Sequence, residues 1–291
     1  MGNIPKRIFF YWENDKISWM RYMTLYSFRK FNPGWTMDLF YDDKTIFENQ
    51  WKTFNKQDFS SFNGIDYYDK IKDLNINIKK WDMNIDGLEV FKGVTPSGKS
   101  DIFKWYELYK NGGIFSDMDI LYFKPIDNLY NHLIDNGFDT VICEKQNNIF
   151  KYLSVGFISS NKNNDFYKDI FNNCFKFQKQ NEYQTYGVDC IYDLYNTVPI
   201  NSNVSGASTN KYPNLKIFNL PFNTVYPFDS NQIDICFNND LKLEQLDTNT
   251  IGYHWYAGHP TSQKYNNILT DDNYMNYNNL FCNICKEIFK L

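Results

Sequence analysis

The spacing of hydrophobic and polar positions near the start of the chain is typical of alternating strands and helices. Residues 4–12, IPKRIFFYW, have the apolar and aromatic density of a buried first strand. Residues 16–31 follow as an amphipathic helix, which Asn32-Pro33-Gly34 stops. Residues 36–43, TMDLFYDD, form the predicted second strand. This strand–helix–strand order predicts an α/β fold.

The central block predicts a helix, a glycine stop and a strand that ends in two aspartates. The helix is expected over 100–111, with N-cap candidates among Ser97–Ser100 and a stop at Gly112-Gly113. In an extended strand, the side chains of Asp117 and Asp119 project from the same face. Such paired carboxylates suit Mg²⁺ or Mn²⁺ that carries a diphosphate. The block therefore predicts a metal-dependent sugar-nucleotide site.

The segment between these two regions has a weaker pattern. Helical pieces are expected near 44–55 and 65–80, followed by a loop rich in Gly, Pro and Ser. A partial calcium-loop pattern lies in it, since positions one, three, five and six match at Asp82, Asn84, Asp86 and Gly87. Its twelfth position is Gly93, where a bidentate Glu is required, so no Ca²⁺ site is predicted.

The second half of the chain continues the mixture of strands and helices. We expect strands at 138–144 and 153–160, a helix at 166–177, a helix opening at 187–196, interrupted strands within 214–228, a last strand in 250–260 and a terminal amphipathic helix at 271–290. Because no repeat or low-complexity linker interrupts the pattern, one domain spanning 1–291 is expected.

Composition and charge narrow the classes of partner. The net charge is −4 and the lysines are scattered, so no nucleic-acid partner is expected. No apolar stretch is long enough to span a bilayer, and the N-terminus has no secretory hydrophobic region, which favours a cytoplasmic location. Only Cys282 and Cys285 among the six cysteines form a C-x-x-C pair, so reduced thiols in a core are expected.

Several candidate residues also have a purely structural interpretation. Trp12, at the carboxyl end of the first strand, could be core packing. Asp101 and Asp189 could be favourable charges in the first turns of their helices. His254 could be a satisfied histidine in a strand or loop, and His259 ranks below it as a functional candidate.

Three segments resemble a known family. SGKSDIFKWYELYKNGGIFSDMDI resembles the S-D-I-x-R…L-x-x-x-GG-x-[YF]-x-D-x-D block of DXD-type sugar transferases. These are the glycosyltransferase family 32 group and the related large clostridial glucosylating toxins. IPKRIFFYW matches their I-P-K-x-I-x-x-x-W opening, and GYHWYAGHP resembles their C-terminal H-x-W segment.

The resemblance implies a GT-A fold, with a mixed central sheet and helices on both faces. It also implies a nucleoside-diphosphate sugar donor, with UDP as the expected nucleotide, a Mn²⁺ or Mg²⁺ cofactor, a glycan or protein hydroxyl as acceptor, and retention of anomeric configuration. Carried over residue by residue, the resemblance places Trp12 on the donor base, Ser100 and Asp101 on the sugar hydroxyls, and Phe115 near the sugar-nucleotide. It places Asp117 on ribose and sugar, Asp119 on the metal and His254 beside the diphosphate. The expected metal ligands are Asp117, Asp119 and His254.

The chain departs from the family pattern at Lys104, which stands where the family has arginine. Lysine keeps the positive charge but lacks the planar bidentate fork. It can still offset leaving-group charge as a point charge, so Asp101, Lys104 and Asp117 form the expected catalytic set.

Two other functional classes stay open at this stage. A haloacid-dehalogenase-type phosphatase also uses D-x-D after a strand, but it needs Thr or Val where Leu121 stands. A carbohydrate-binding or catalytically inactive module on the same fold would use exposed aromatic residues and leave the aspartates in salt bridges. Metal-dependent nucleotide affinity separates that module from a transferase.

Overall fold

The computed structural model describes residues 4–13, 16–41, 62–81, 84–85, 88–89, 94–146, 151–177, 184–191, 194 and 212–290. The strands are β1 (Arg7–Tyr11), β2 (Thr36–Tyr41), β3 (Asn77–Lys80), β4 (Asn84–Ile85), β5 (Leu88–Glu89), β6 (Gly113–Ser116), β7 (Ile120–Tyr122), β8 (Thr140–Gln146), β9 (Lys151–Ser160), β10 (Ile217–Asn219) and β11 (Gly252–His254). The α-helices are α1 (Trp19–Phe31), α2 (Tyr68–Ile71), α3 (Pro96–Lys110), α4 (Asp127–Asp135), α5 (Asp165–Cys174), α6 (Ile233–Asn238), α7 (Pro260–Ile268) and α8 (Leu280–Lys290).

A seven-stranded mixed sheet lies at the centre, in the order β10-β8-β9-β6-β1-β2-β3. Strands β6, β1, β2 and β3 run parallel, whereas β9 runs antiparallel to both β6 and β8. Strands β7 and β11 form a separate antiparallel pair, and β4 and β5 form another. Because β1 and β6 are parallel neighbours, the residues that follow them leave the sheet at the same edge.

Helices cover both faces of the sheet. On one face Phe9 packs in a cluster with Phe103 of α3, and on the other Phe10 packs with Phe28 of α1. Successive side chains of β1 therefore enter opposite cores, as the pleat requires, and a strand buried on both faces reads as a continuous apolar run. The predicted α/β class with a mixed central sheet and helices on both faces is confirmed.

A third apolar cluster joins the two ends of the chain. Trp19 and Met20 of α1 pack there with Leu121 of β7, Trp255 after β11, and Phe281 of α8. The C-terminal third is thereby held against the first helix, at the edge of the sheet where the functional candidates lie.

Local polar groups set the ends of the two helices that carry those candidates. The Ser18 side chain accepts a hydrogen bond from the Arg21 N–H and caps α1, which ends at Phe31 as its sequence predicts. Helix α3 begins at Pro96 with Thr95 as its cap, so the predicted start at residue 100 and the Ser97–Ser100 caps are wrong. Its predicted stop is confirmed, since Gly112 has a φ of 65°, which favours glycine.

Several other predicted elements differ from the structure. Within 65–80, where a helix was predicted, a short helix, a 3₁₀ turn and the edge strand β3 form. The predicted helix at 187–196 opens with a π-helical turn at Thr185–Asp189, and Phe222–Thr224, within the predicted strands, is a 3₁₀ helix. The terminal helix is confined to Leu280–Lys290. Helices α4, α6 and α7 were not predicted. The 44–55 piece, Asp42, Asp43 and most of the calcium-like pattern lie outside the described residues.

All six cysteines are buried and unpaired, as expected for thiols packed in a core. Within the described ranges, no helix combines the length and the apolar character needed to cross a membrane.

Candidate active site

The two aspartates lie in a turn between two strands. Strand β6 ends at Ser116 and β7 begins at Ile120, so Asp117 and Asp119 do not share an extended strand and the predicted alternation is wrong. Their carboxylates nevertheless face the same place. Strand β11 pairs antiparallel with β7 and sets His254 opposite Ile120, which brings its imidazole to both carboxylates.

His254 brings an imidazole between the two carboxylates. Its Nε2 lies 3.1 Å from Asp119 Oδ1 and 3.8 Å from Asp117 Oδ2. The backbone N–H of Ala257 donates to Asp119 Oδ2 at 2.7 Å, and that of Trp255 donates to the Asp119 carbonyl at 2.9 Å. The C-terminal segment therefore fixes Asp119 from both its side chain and its backbone.

Burial and neighbouring charges shift the pKa values of Asp119 and His254. Burial alone would raise the pKa of Asp119, but His254 and the Ala257 N–H lower that pKa to about 2. Burial alone would lower the pKa of His254, yet the two aspartates, led by Asp119, raise it to about 9. At neutral pH the metal-free site therefore holds an ion pair, His254⁺ with Asp119⁻.

The same three residues fit a divalent cation. Asp117, Asp119 and His254 each offer a ligand atom, and these atoms lie within 4.8 Å of one another; no other such group occurs in the described part of the chain. A methyl group at Gly156 of β9 would lie only 3.0 Å from Asp117 Cγ, so a glycine there leaves room beside the carboxylate. Carboxylate oxygens with one imidazole nitrogen suit Mn²⁺, and the carboxylates suit Mg²⁺.

Helix α3 supplies a buried cation to the neighbouring carboxylates. Lys104 is 2% exposed; its Nζ lies 2.7 Å from Asp101 Oδ1 and 4.0 Å from Asp117 Oδ1, and it donates to the Val155 carbonyl at 3.3 Å. Its Nζ also lies 4.5 Å from the ring centroid of Phe115, which is itself buried. Lys104 thus links α3 to the strand end that carries Asp117.

Asp101 lies in the second turn of α3, because the helix begins at Pro96. Its interpretation as a first-turn charge is therefore wrong. Burial raises its pKa, against the opposing effect of Lys104. A methyl group at Gly187 of the π-helical turn would lie 2.6 Å from Asp101 Oδ2, so this turn closes directly over the carboxylate. Ser100, one residue earlier, is half-buried on the same helix.

Trp12 lies at the same sheet edge, just after β1. Its backbone N–H donates to the Phe40 carbonyl at 2.9 Å, and its side chain packs half-buried against the α1 face of the sheet. The guanidinium carbon of Arg21 lies 4.1 Å from the Trp12 ring centroid and 5.5 Å from that of Trp255. One face of Trp12 is therefore covered by a cation.

Arg21, Tyr226 and Gly156 were not identified from the sequence. Arg21 had a usable signal, because it lies in the first turn of a helix that follows a strand, and such helix starts face the carboxyl edge of the sheet. Tyr226 is 2% exposed and its ring centroid lies 5.1 Å from that of His254. Neither Tyr226 nor Gly156 carries a local sequence pattern that points to the site.

One family model matches the chain. Its description is a glycosyltransferase sugar-binding region containing a DXD motif, and it matches residues 11–136, less than half of the chain. That span includes Trp12, Asp101 and both aspartates of the D-x-D. The similarity to this family is confined to the N-terminal part of the chain. Among curated proteins no significant relative was found.

Solved glycosyltransferases resemble the chain only distantly. The PaToxG glycosyltransferase is 19% identical over 69% of this chain and 73% of its own, with a TM-score of 0.49. GlyE from Streptococcus pneumoniae TIGR4 is 10% identical over 99% of this chain but only 64% of its own, with a TM-score of 0.46. An active-site mutant of LgtC is 13% identical over 86% of each chain, with a TM-score of 0.44. At these values we draw no functional conclusion from the likeness.

Proposed function

We propose that this chain is a metal-dependent glycosyltransferase of the GT-A type, built as one domain. It transfers a sugar from a nucleoside-diphosphate sugar, with UDP-sugars as the first donors to test, to a hydroxyl of a glycan or protein. The observation that carries the proposal is the convergence of Asp117 and Asp119 with His254, which lies more than 130 residues later in the sequence, on one cation-sized site. The matched DXD family model supports the same reaction class.

Asp117, Asp119 and His254 are the proposed ligands of Mn²⁺ or Mg²⁺. When bound, the cation offsets the negative charge that develops on the leaving diphosphate. His254 must be neutral to act as a ligand, so it gives up the proton that it carries in the metal-free ion pair. Asp119 is already ionised, since its pKa is about 2, and needs no deprotonation step.

Asp101 and Lys104 are proposed to position the donor sugar and its leaving group. Lys104 holds Asp101 in place and lies 4.0 Å from Asp117 Oδ1, so a single ammonium orients both carboxylates. It serves as a point charge near the leaving group in place of an arginine fork. Phe115 is proposed to hold the Lys104 ammonium in place through the contact with its ring, and Ser100 is proposed to contact the sugar hydroxyls.

Trp12 is proposed to stack on the donor base. Since Arg21 covers one face of its ring, the base takes the other face. Retention of configuration is proposed from the family resemblance, with no nucleophile or base assigned. Following the anomeric signal of the first product by ¹H NMR tests it, and an inverted product contradicts it.

The decisive experiment is replacement of Asp119 by Ala, with Asp135→Ala as its control. Asp135 is an exposed aspartate at the end of α4. Nucleotide release from a panel of UDP- and GDP-sugars is measured with Mn²⁺ and with EDTA. We expect metal-dependent turnover in the wild type and in the control, and a loss of at least about 100-fold in Asp119→Ala.

Unchanged metal-dependent turnover in Asp119→Ala would sink the proposal. Metal-independent behaviour of the wild type, with sugar binding but no nucleotide affinity, would favour the binding module. Hydrolysis of a simple phosphate monoester, without sugar transfer, would favour the phosphatase.

A further inference from the structure

Arg21 has a side-chain environment that differs from those of the other two arginines. The chain contains 27 lysines but only Arg7, Arg21 and Arg29 as arginines. The fork of Arg7 donates to Asp38, Glu107 and the Gly112 carbonyl, and that of Arg29 donates to four backbone carbonyls. Every nitrogen of these two guanidinium groups donates a hydrogen bond, and these bonds serve the fold.

The Arg21 fork has no such partners. Among the described residues, its guanidinium makes no hydrogen bond and no ion pair, although the side chain is mostly buried. It lies between two indole rings, at 4.1 Å from Trp12 and 5.5 Å from Trp255. Cation–π contacts offset part of the loss of hydration but use none of the five N–H donors. A half-buried cation with open donors is poorly satisfied by the protein alone.

The charge balance around Arg21 supports this view. Burial lowers its pKa to about 10, and the opposing effects of Asp119 and Asp117 do not compensate. The charges of these two carboxylates act on the guanidinium, but in the described part of the chain neither of them forms an ion pair with it. Asp119 is held by His254 and the Ala257 N–H. A further anion at this place would gain both charge and hydrogen bonds from Arg21.

The position of Arg21 indicates which anion that is. On one side lies Trp12, the proposed platform for the base. On the other lies Trp255, whose backbone N–H donates to the carbonyl of Asp119, a proposed metal ligand. In a nucleoside-diphosphate sugar, the diphosphate is the group that joins the base and ribose to the metal-bound end. A planar guanidinium binds two phosphate oxygens at once, which a lysine cannot do.

We propose that Arg21 binds the diphosphate of the donor, and that it supplies the bidentate phosphate contact that Lys104 cannot provide. This inference rests on the proposed glycosyltransferase function and assigns a new binding residue to that site. Lys104 is committed to Asp101 and the Val155 carbonyl, whereas Arg21 presents its fork from the opposite helix, α1. Lys104 would then supply the point charge and Arg21 the bidentate phosphate contact, two roles that the family resemblance would give to one arginine.

The test measures equilibrium binding rather than turnover. Arg21→Gln and Arg21→Lys are compared with the wild type by calorimetric titration of UDP, GDP, uridine and inorganic pyrophosphate, each with Mn²⁺. Lys162→Gln is the matched control, since it removes one positive charge from an exposed turn after β9, where that strand pairs with the start of β6. Binding of Mn²⁺ alone, followed by electron paramagnetic resonance, is measured in parallel.

In Arg21→Gln we expect the affinity for the bound nucleoside diphosphate and for pyrophosphate to fall about 10- to 100-fold. Arg21→Lys should recover only part of this loss, because it restores the charge without the fork. Uridine and Mn²⁺ alone should bind as in the wild type, and Lys162→Gln should match the wild type throughout. A residue that merely packs between two indoles would change thermal stability without this dependence on phosphate.

Wild-type diphosphate affinity in both Arg21 variants overturns the inference and leaves the proposed function intact. A wild type that binds neither UDP nor GDP with Mn²⁺ overturns the proposed function and the role of Arg21 with it. An equal loss for uridine and UDP also overturns it, since the effect would then lie in the base platform. If Arg21→Gln does not fold, as judged by circular dichroism, the comparison of Arg21→Lys with Lys162→Gln decides.

Discussion

Replacing Gly156 by Ala tests the geometry of the aspartate pair most directly. A methyl group on this residue of β9 would lie 3.0 Å from Asp117 Cγ, closer still to Oδ2, and 2.9 Å from the Tyr226 hydroxyl. Comfortable carbon contacts need about 3.5 Å, so the Tyr226 hydroxyl must give way by roughly half an ångström and the Asp117 carboxylate by roughly one. The backbone offers little relief, because the Asp117 N–H donates to the Gly156 carbonyl at 2.8 Å and holds the two strands in register.

The two neighbours differ in how they can respond. The Asp117 side chain is 33% exposed and can rotate away, whereas Tyr226 is 2% exposed and packed against His254. Asp117 therefore moves first, and the main effect falls on the metal site. We expect Mn²⁺ affinity to fall about 10- to 100-fold. The residual crowding at Tyr226 should lower the free energy of unfolding by about 1–2 kcal/mol.

Gly34→Ala is the control, since nothing lies within 4 Å of a methyl group at that position. Mn²⁺ affinity is measured by calorimetry and by the electron paramagnetic resonance signal of free Mn²⁺, and the free energy of unfolding by urea titration of the metal-free proteins. Equal Mn²⁺ affinity in the two variants would refute the placement of Gly156 beside Asp117.

Three further substitutions test the charges of the site and of the fold. Asp119→Asn should lower the pKa of His254 from about 9 towards its usual 6.5, as measured by NMR titration of the metal-free protein. In the wild type, the stabilisation of the fold by protonated His254 is complete below about pH 6.5 and is lost as the pH rises through 9. Lys104→Met leaves the buried Asp101 carboxylate without its cation and should cost about 3–5 kcal/mol in urea unfolding. Arg7→Met removes one partner from each of two buried carboxylates, Asp38 and Glu107, and should destabilise by about 2–3 kcal/mol, while Mn²⁺ affinity of the folded protein stays unchanged. An unshifted His254 titration, a stable Lys104 variant, or a metal-site defect in the Arg7 variant would each contradict the corresponding assignment.

The elements near the start of the chain could be predicted because local pattern dictates them. The apolar run of β1 indicates a strand buried on both faces. The turn Asn32-Pro33-Gly34 ends α1 through its local conformational preferences, whatever the helix packs against. The prediction failed where a pattern continued past the end of its element. Apolar residues run on through Met118, Ile120 and Leu121, so the turn that carries the aspartates read as strand. Likewise Thr95 caps α3, and the helix begins at Pro96, four residues before its predicted start at residue 100.

Residues of the site divide in the same way. The sequence pattern put Trp12 at the carboxyl end of a strand, and the family resemblance brought it together with Asp117 and Asp119 in one donor site. The resemblance named His254, but nothing local reveals that β11 pairs with β7 and carries the imidazole to within 3.1 Å of Asp119. Gly156, Tyr226 and Arg21 acquire their roles only through neighbours that are distant in sequence.

The sequence by itself determined the α/β rhythm, the carboxylate pair and the helix that holds Asp101 and Lys104, since each depends on residues within a few positions of one another. The tertiary structure alone decided which groups face the aspartates: an imidazole from 135 residues further on, a glycine that leaves space, and an arginine between two indoles. The physical reason is that a ligand set and a charge balance are properties of distances between side chains. Those distances are set by strand pairing and packing of both chain ends, which no local pattern records.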